Sequence, residues 1–176
     1  MALTQQRFAL RWSSLAWAIS VGASAIALCV PIVVLLATND ASRASGALGV
    51  LLVAAAFSPV AVLAVLVFFA PLAFEVRPDA VVVKRVGRDV SIPRGEIHEV
   101  RRIEPGEARL VWRLCGSGGF LGFFGLFYSS RLGKFWVYAG NRQDLVLLAL
   151  ADGTKIVISP CRPDEFIKAV QLESNR

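Results

Sequence analysis

The sequence predicts two membrane-spanning helices followed by an α+β, mainly β domain. Three observations carry this expectation: two long uncharged apolar runs, short alternating strand patterns after Glu75, and one amphipathic segment near Arg176. The runs extend from Leu15 to Ala37 and from Ala47 to Phe74, and neither contains Asp, Glu, Lys or Arg. A helix crosses the hydrocarbon core with roughly 20 apolar residues, and both runs are longer. The tract Thr38-Asn39-Asp40-Ala41-Ser42-Arg43-Ala44-Ser45-Gly46 separates them as a polar turn. Residues 1–74 thus form a membrane anchor, with helices at about 15–37 and 47–74, and residues 75–176 form one further domain.

Composition agrees with this division. Of 176 residues 56% are hydrophobic, and the mean hydropathy is +0.61. Soluble domains hold about 45–50% apolar residues, so the two runs account for the excess. The roughly 100 residues after the anchor suffice for one compact core.

The first run is too long for a signal-peptide core of roughly 7–15 residues, although Arg7 and Arg11 precede it like a positive leader. Pro31, Pro59 and Pro71 are expected to kink the helices, because lipid-embedded helices tolerate proline. Small residues (Ser20, Gly22, Ala23, Ser24 and Ala27; Ala54, Ala55, Ala56, Ser58 and Ala61) suit close packing of the hairpin. Trp12 and Trp17 stand where interfacial aromatic anchors belong. Arg7, Arg11, Arg77, Lys84, Arg85, Arg88 and Arg94 flank the outer ends, against Arg43 alone in the loop. Lys and Arg favour the cytoplasmic side, so both termini are expected there.

Seven short strands are read after Glu75. They are Ala80–Val86, Val90–Ile92, Ile97–Ile103, Ala108–Leu114, Phe135–Tyr138, Asp144–Leu150 and Lys155–Ile158. Gly87-Arg88-Asp89 and Ala151-Asp152-Gly153-Thr154 carry turn chemistry between them. Pro163 at a first helical position, with Asp164 and Glu165 in the first turn, opens a helix whose Phe166, Ile167 and Val170 share one face. The expected arrangement is antiparallel strands capped by this C-terminal helix.

Net charge is +6, of which two charges precede the first run and four lie from Glu75 onward. On a membrane-anchored chain such charge serves topology, solubility or anionic headgroups rather than nucleic acid. Cys29, Cys115 and Cys161 are odd in number and scattered, which fits neither a disulfide framework nor a zinc site.

No catalytic constellation is legible. His98, the single histidine, shares a strand face with Glu96 and has Glu99 adjacent, but a third ligand is lacking, so no metal site is assigned. The glycines from Gly116 to Gly125 fit neither G-x-x-x-x-G-K-[ST] nor G-x-G-x-x-G. With Phe120, Phe123, Phe124 and Phe127 they leave three readings: a sharply bent core strand, a membrane-dipping aromatic loop, or a ligand loop. No cofactor is implied.

Three stretches together resemble the bacterial pleckstrin-homology (PH-like) domain families. They are Gly118–Gly125; Gly133-Lys134-Phe135 with Tyr138-Ala139; and Ile158-Ser159-Pro160 with Pro163 and Phe166. These match a G-rich strand, a G-x-F-x-x-Y-A strand and an I-S-P-x-x-P-x-x-F junction, over roughly Val76–Leu172. The resemblance implies a seven-stranded bent antiparallel barrel plugged by the helix, and members often carry two N-terminal transmembrane helices. With no catalytic constellation legible, the expected role is that of a non-enzymatic bacterial inner-membrane protein that binds an unknown protein partner or its own copies, because tethering raises effective concentration and strand edges can accept an added strand. In lipid-binding PH domains, cations on the first hairpin cradle a phosphate. Lys84, Arg85 and Arg88 match that position and give the alternative expectation of an anionic headgroup site.

Overall fold

The computed structural model describes residues 6–10, 14–37, 46–104, 107 and 111–174. Arg11, Trp12, the polar tract 38–45 and residues 108–110 of an expected strand lie outside them.

The chain opens on a short strand, β1 (Gln6–Ala9), before the first apolar helix, α1 (Ser14–Ala37). The second apolar helix, α2 (Ala47–Phe69), leads directly into β2 (Pro71–Val76). Both helices are long and apolar enough to span a membrane, and only 17% and 6% of their apolar windows are buried, unlike the core helices of a soluble protein. They run through Pro31 and Pro59.

The expected end of the second helix at Phe74 is corrected. Proline disfavours the α region for the residue before it, and Ala70 adopts φ −64°, ψ 133°, so the helix ends at Phe69 before Pro71 instead of kinking there. Residues 71–74 therefore belong to a strand.

The two helices contact each other, and Ala27 and Pro31 of α1 and Gly49, Val53, Ala56 and Leu63 of α2 are among their buried or half-buried positions. Ala54, Ala55, Ser58 and Ala61 face outward, so close packing uses only part of the small-residue set.

β1 and β2 pair antiparallel, with Phe8 opposite Phe74. The helix pair is thus an elaborated connection between two neighbouring strands. β3 (Ala80–Arg85) and β4 (Val90–Pro93) complete a sheet of order β1-β2-β3-β4. A 3-10 turn, Arg94–Glu96, leads to the second sheet. Its strands are β5 (Ile97–Arg102), β6 (Val111–Gly119), β7 (Gly122–Ser129), β8 (Gly133–Ala139), β9 (Val146–Leu150) and β10 (Lys155–Ile158), in the order β5-β9-β10-β8-β7-β6. α3 (Pro163–Ser174) closes the chain.

The expected seven-stranded barrel is thereby revised to ten described strands in two sheets that do not close. β1, β2 and β7 are the additions. Outside the strands a single described bridge, Leu10 to Pro160, links the sheets, supported by the Cys161 N–H donating to Ala9 O (3.1 Å). The strands are not all antiparallel either. β10 turns back from β9 and slots between it and β8, which makes β10 and β8 parallel.

The main core lies between the sheets and under α3. Phe166 is fully buried there, edge-on to Phe8 (5.3 Å) and Phe74 (6.5 Å). Burying one such aromatic is worth about 1.5–3 kcal/mol, so the strand preceding α1 contributes to the stability of the β domain. A smaller cluster on the opposite face of the second sheet contains Phe127, Phe135, Val137, Leu147 and Val157.

The quoted motifs now have physical roles. Phe135 and Tyr138 point to opposite clusters, as strand alternation requires. Buried Ser159 accepts the Gly140 N–H (2.8 Å), Pro160 pairs with Leu10, and Phe166 fills the core.

Candidate functional site

Two β-hairpin tips meet the helix pair. The first is the β3–β4 turn, Val86 to Asp89, which carries Arg88 and follows directly on Lys84 and Arg85, the other two expected headgroup cations. Its Gly87 N–H donates to Phe68 O (3.0 Å), one of the carbonyls that the C-terminus of α2 leaves unpaired. A Cβ on Gly87 would overlap the Phe68 ring, so any larger residue here requires that ring to shift.

The structure brings Lys84, Arg85 and Arg88 to one hairpin but engages two of them locally. Lys84 Nζ forms an ion pair with Asp89 Oδ2 (2.6 Å), and the Arg85 N–H donates to Asp89 Oδ1 (3.2 Å). The hydrogen bond from Lys84 holds the Asp89 carboxyl below its ordinary pKa. Arg85 Nε donates to Arg88 O (2.8 Å), and its guanidinium lies over Phe69 (5.6 Å) and Tyr138 (5.9 Å). Burial raises the Tyr138 hydroxyl pKa, opposed by the Arg85 charge. Arg88 extends into solvent.

Arg77 and Arg94, counted above among flanking charges, also have internal partners. Arg77 pairs with Glu75 (2.9 Å). Arg94 is buried and donates to Arg77 O (3.0 Å), Ala169 O (2.8 Å) and Val170 O, fastening the last turns of α3. A guanidinium there complements the negative end of the helix dipole. Nothing in the local sequence around Arg94 signals this role, because its partners lie 75 and 76 residues away.

The second tip joins β6 to β7. It bends where Gly116 and Gly125 face each other, at φ +114° and +121°. A Cβ on Gly116 would run into Phe124 O and stand 2.8 Å from Gly125 Cα, so a side chain is excluded on both grounds. Bent strand is therefore the reading that the backbone supports, while Phe124 and Phe127 sit in the cores. At the tip, the Leu121 N–H donates to Ser20 Oγ of α1 (2.8 Å), and Ser117 Oγ donates to Phe120 O (2.6 Å). Sequence reasoning missed this contact of Ser20 because 101 residues separate the partners.

Beyond the bend, a third feature appears. β6 is the last strand of its sheet, and Trp112 (72% exposed) and Leu114 (53%) project from it. Tyr128 (43%), directly opposite Trp112, and Trp136 (44%) extend the strip across β7 and β8. The register places Lys134 beside Tyr128.

His98 is exposed, and Glu99 is paired with Arg101 (2.9 Å) rather than turned toward it. Among the described residues no three His, Cys, Asp or Glu side chains converge. All three cysteines are free, with Cys29 and Cys115 exposed.

No curated protein and no solved structure matches the chain. The family model for the bacterial PH domain does match, over residues 72–174, beginning at β2 and ending at the last residue of α3. With the two sheets, the capping helix and the three motifs in their structural places, the chain belongs to the bacterial PH domain family.

Proposed function

We propose that this protein is a non-enzymatic, membrane-anchored PH-like module that binds a protein partner or its own copies at the cytoplasmic face of the bacterial inner membrane. In this reading α1 and α2 cross the bilayer, and the β domain works as an interaction or scaffolding surface. The observation that carries it is the β6 edge with its strip of Trp112, Leu114, Tyr128 and Trp136. An exposed edge offers unpaired backbone groups to an added strand, and large apolar side chains beside it supply affinity. Tethering to a membrane raises effective concentration, so weak contacts become sufficient.

Co-purification from native membranes tests the proposal. The full chain is expected to retain a partner or a second copy in mild detergent, and Trp112→Ser with Trp136→Ser is expected to release it. Recovery of wild-type monomer alone overturns the reading. The full chain is required, because a fragment starting at residue 75 lacks Phe8 and Phe74 from the core.

Headgroup binding through Lys84, Arg85 and Arg88 is the second reading. The contact of Gly87 with Phe68 favours it, since this places Arg88 beside the end of α2. Lys84 and Arg85 are held by Asp89, Arg88 O and aromatic rings, so Arg88 is the side chain expected to matter most. The amount of anionic phospholipid retained by the full chain after purification in mild detergent tests it: less for Arg88→Glu than for wild type would support the reading, and equal retention would end it.

A further inference from the structure

We propose that the β6–β7 hairpin is a third membrane-contacting element, its tip seated in the interfacial layer of the bilayer beside α1, with the lipid surface as its partner. This rests on the reading of α1 and α2 as membrane spans and goes beyond it, since the β domain is then partly immersed instead of merely tethered.

Four observations carry the inference. First, the tip touches α1 inside the candidate span. Ser20, which accepts the Leu121 N–H, lies three residues beyond Trp17, where that span begins, or about 4.5 Å along the axis at 1.5 Å per residue. A Cβ on Gly119 would stand 3.9 Å from Ile19 Cδ1, in ordinary contact with the same turn of helix.

Second, the hairpin carries no Asp, Glu, Lys or Arg from Gly116 to Ser130. Such a run at the end of a surface hairpin is expected where charge would be expensive. Phe120, Leu121 and Phe123 are only half-buried by protein, which leaves apolar surface for lipid.

Third, two polar groups of the turn find partners within the protein. The Leu121 N–H is taken by Ser20, and Phe120 O accepts from Ser117. Such pairing is what an apolar layer demands, because unpaired backbone groups there are costly.

Fourth, the flanking groups suit an interface. Trp17 is exposed at this level of α1, where an indole prefers the headgroup boundary. The Arg142 guanidinium lies over the Phe123 ring (5.0 Å), an aromatic face with a cation available to phosphate.

Site-directed spin labelling of the full chain in phosphatidylcholine–phosphatidylglycerol nanodiscs tests this. With Cys29, Cys115 and Cys161 replaced by alanine, single nitroxides are introduced through Phe120→Cys, through Val33→Cys on the exposed face of α1, and through Asp152→Cys on the β9–β10 turn. Collision accessibility to oxygen and to a nickel chelate is then compared. The oxygen-to-nickel ratio at position 120 is expected to exceed that at 152 several-fold and to fall below that at 33. A ratio at 120 equal to that at 152, with 33 lipid-shielded, overturns hairpin immersion alone. Equal ratios at 33 and 152 overturn the span reading and the hairpin with it. Should Phe120→Cys fail to fold, Gly118→Cys reports on the same tip at an exposed position without left-handed backbone.

Discussion

The two hairpin tips that meet the helix pair use the same donor, a turn N–H, and opposite chemistry around it. At β3–β4 the acceptor is a backbone carbonyl, Phe68 O, available because it lies in the last turn of α2. At β6–β7 the tip meets α1 six residues past its start, where backbone carbonyls are already committed to the helix, and a side chain, Ser20 Oγ, must accept instead. The first tip is polar, with Lys84, Arg85, Arg88 and Asp89 in or beside it; the second contains only Ser, Gly, Phe and Leu from Ser117 to Gly125. Position along the helix thus decides the acceptor type.

Removing the bend breaks the comparison most severely. Gly116→Val places a side chain at φ +114°, against the Phe124 carbonyl and the facing glycine. Left-handed strain costs about 1–3 kcal/mol and overpacking a similar amount, so a loss of about 3 kcal/mol or more is expected. Thermal unfolding of the detergent-solubilised chain should show it as the largest fall in midpoint, accompanied by protease cleavage near the tip.

Gly87→Ala probes the other tip. The new methyl overlaps the Phe68 ring and should cost about 1–3 kcal/mol, less than the bend because a ring can move where a backbone cannot. Phe68→Ala in the same chain should restore much of that loss, a non-additive pair showing that the two groups touch. Additive losses in the double variant would mean that the turn and the helix end are separated in solution.

How much of this was legible from the sequence depends on the range of each interaction. The apolar helices and α3 were readable because a periodic or uncharged run of 12 residues or more is a local property. β1 was not: Arg7-Phe8-Ala9-Leu10 does alternate, but four residues identify a strand only beside a partner, and Phe74 is 66 positions away. β2 was hidden because Pro71-Leu72-Ala73-Phe74 continues the hydropathy of α2, although Pro71 was a usable stop signal. The bend at the glycine cluster was readable from composition, whereas the fit of Leu121 to Ser20 was not. Lys84, Arg85 and Arg88 were correctly placed on one hairpin. Their engagement was missed because Asp89, only five residues from Lys84, was assigned to the turn rather than to a side-chain partner.

Ser20→Ala sharpens the comparison further. It leaves the Leu121 N–H without its acceptor in a half-buried setting, at an expected cost of about 1–2 kcal/mol. Ser20→Thr, which keeps the hydroxyl, should recover most of it.

The smallest expected effect separates the tips by pH. Lys84→Ala removes an ion pair that is about one-third exposed on both sides, so the loss near neutrality should be under about 1 kcal/mol. Asp89 has a folded pKa below its ordinary value of 3.8, chiefly through the Lys84 hydrogen bond. A depressed carboxylate pKa gives stability that is present above the unfolded value and lost as pH falls through the folded one. The difference between wild type and Lys84→Ala should therefore persist from neutrality down to about pH 4 and close below it. Comparing variants matters here, because Glu107, lowered by Arg101, titrates in the same direction in both proteins and cancels. Added salt should shrink the same difference, since the pair is reached by solvent. The deficit of Ser20→Ala should show neither dependence, because Ser117 to Gly125 holds no titratable side chain. A Ser20→Ala deficit that also closed in acid would mean that the flank contact is coupled to an ionised group elsewhere, and the division between an ionic tip and an uncharged one would fail.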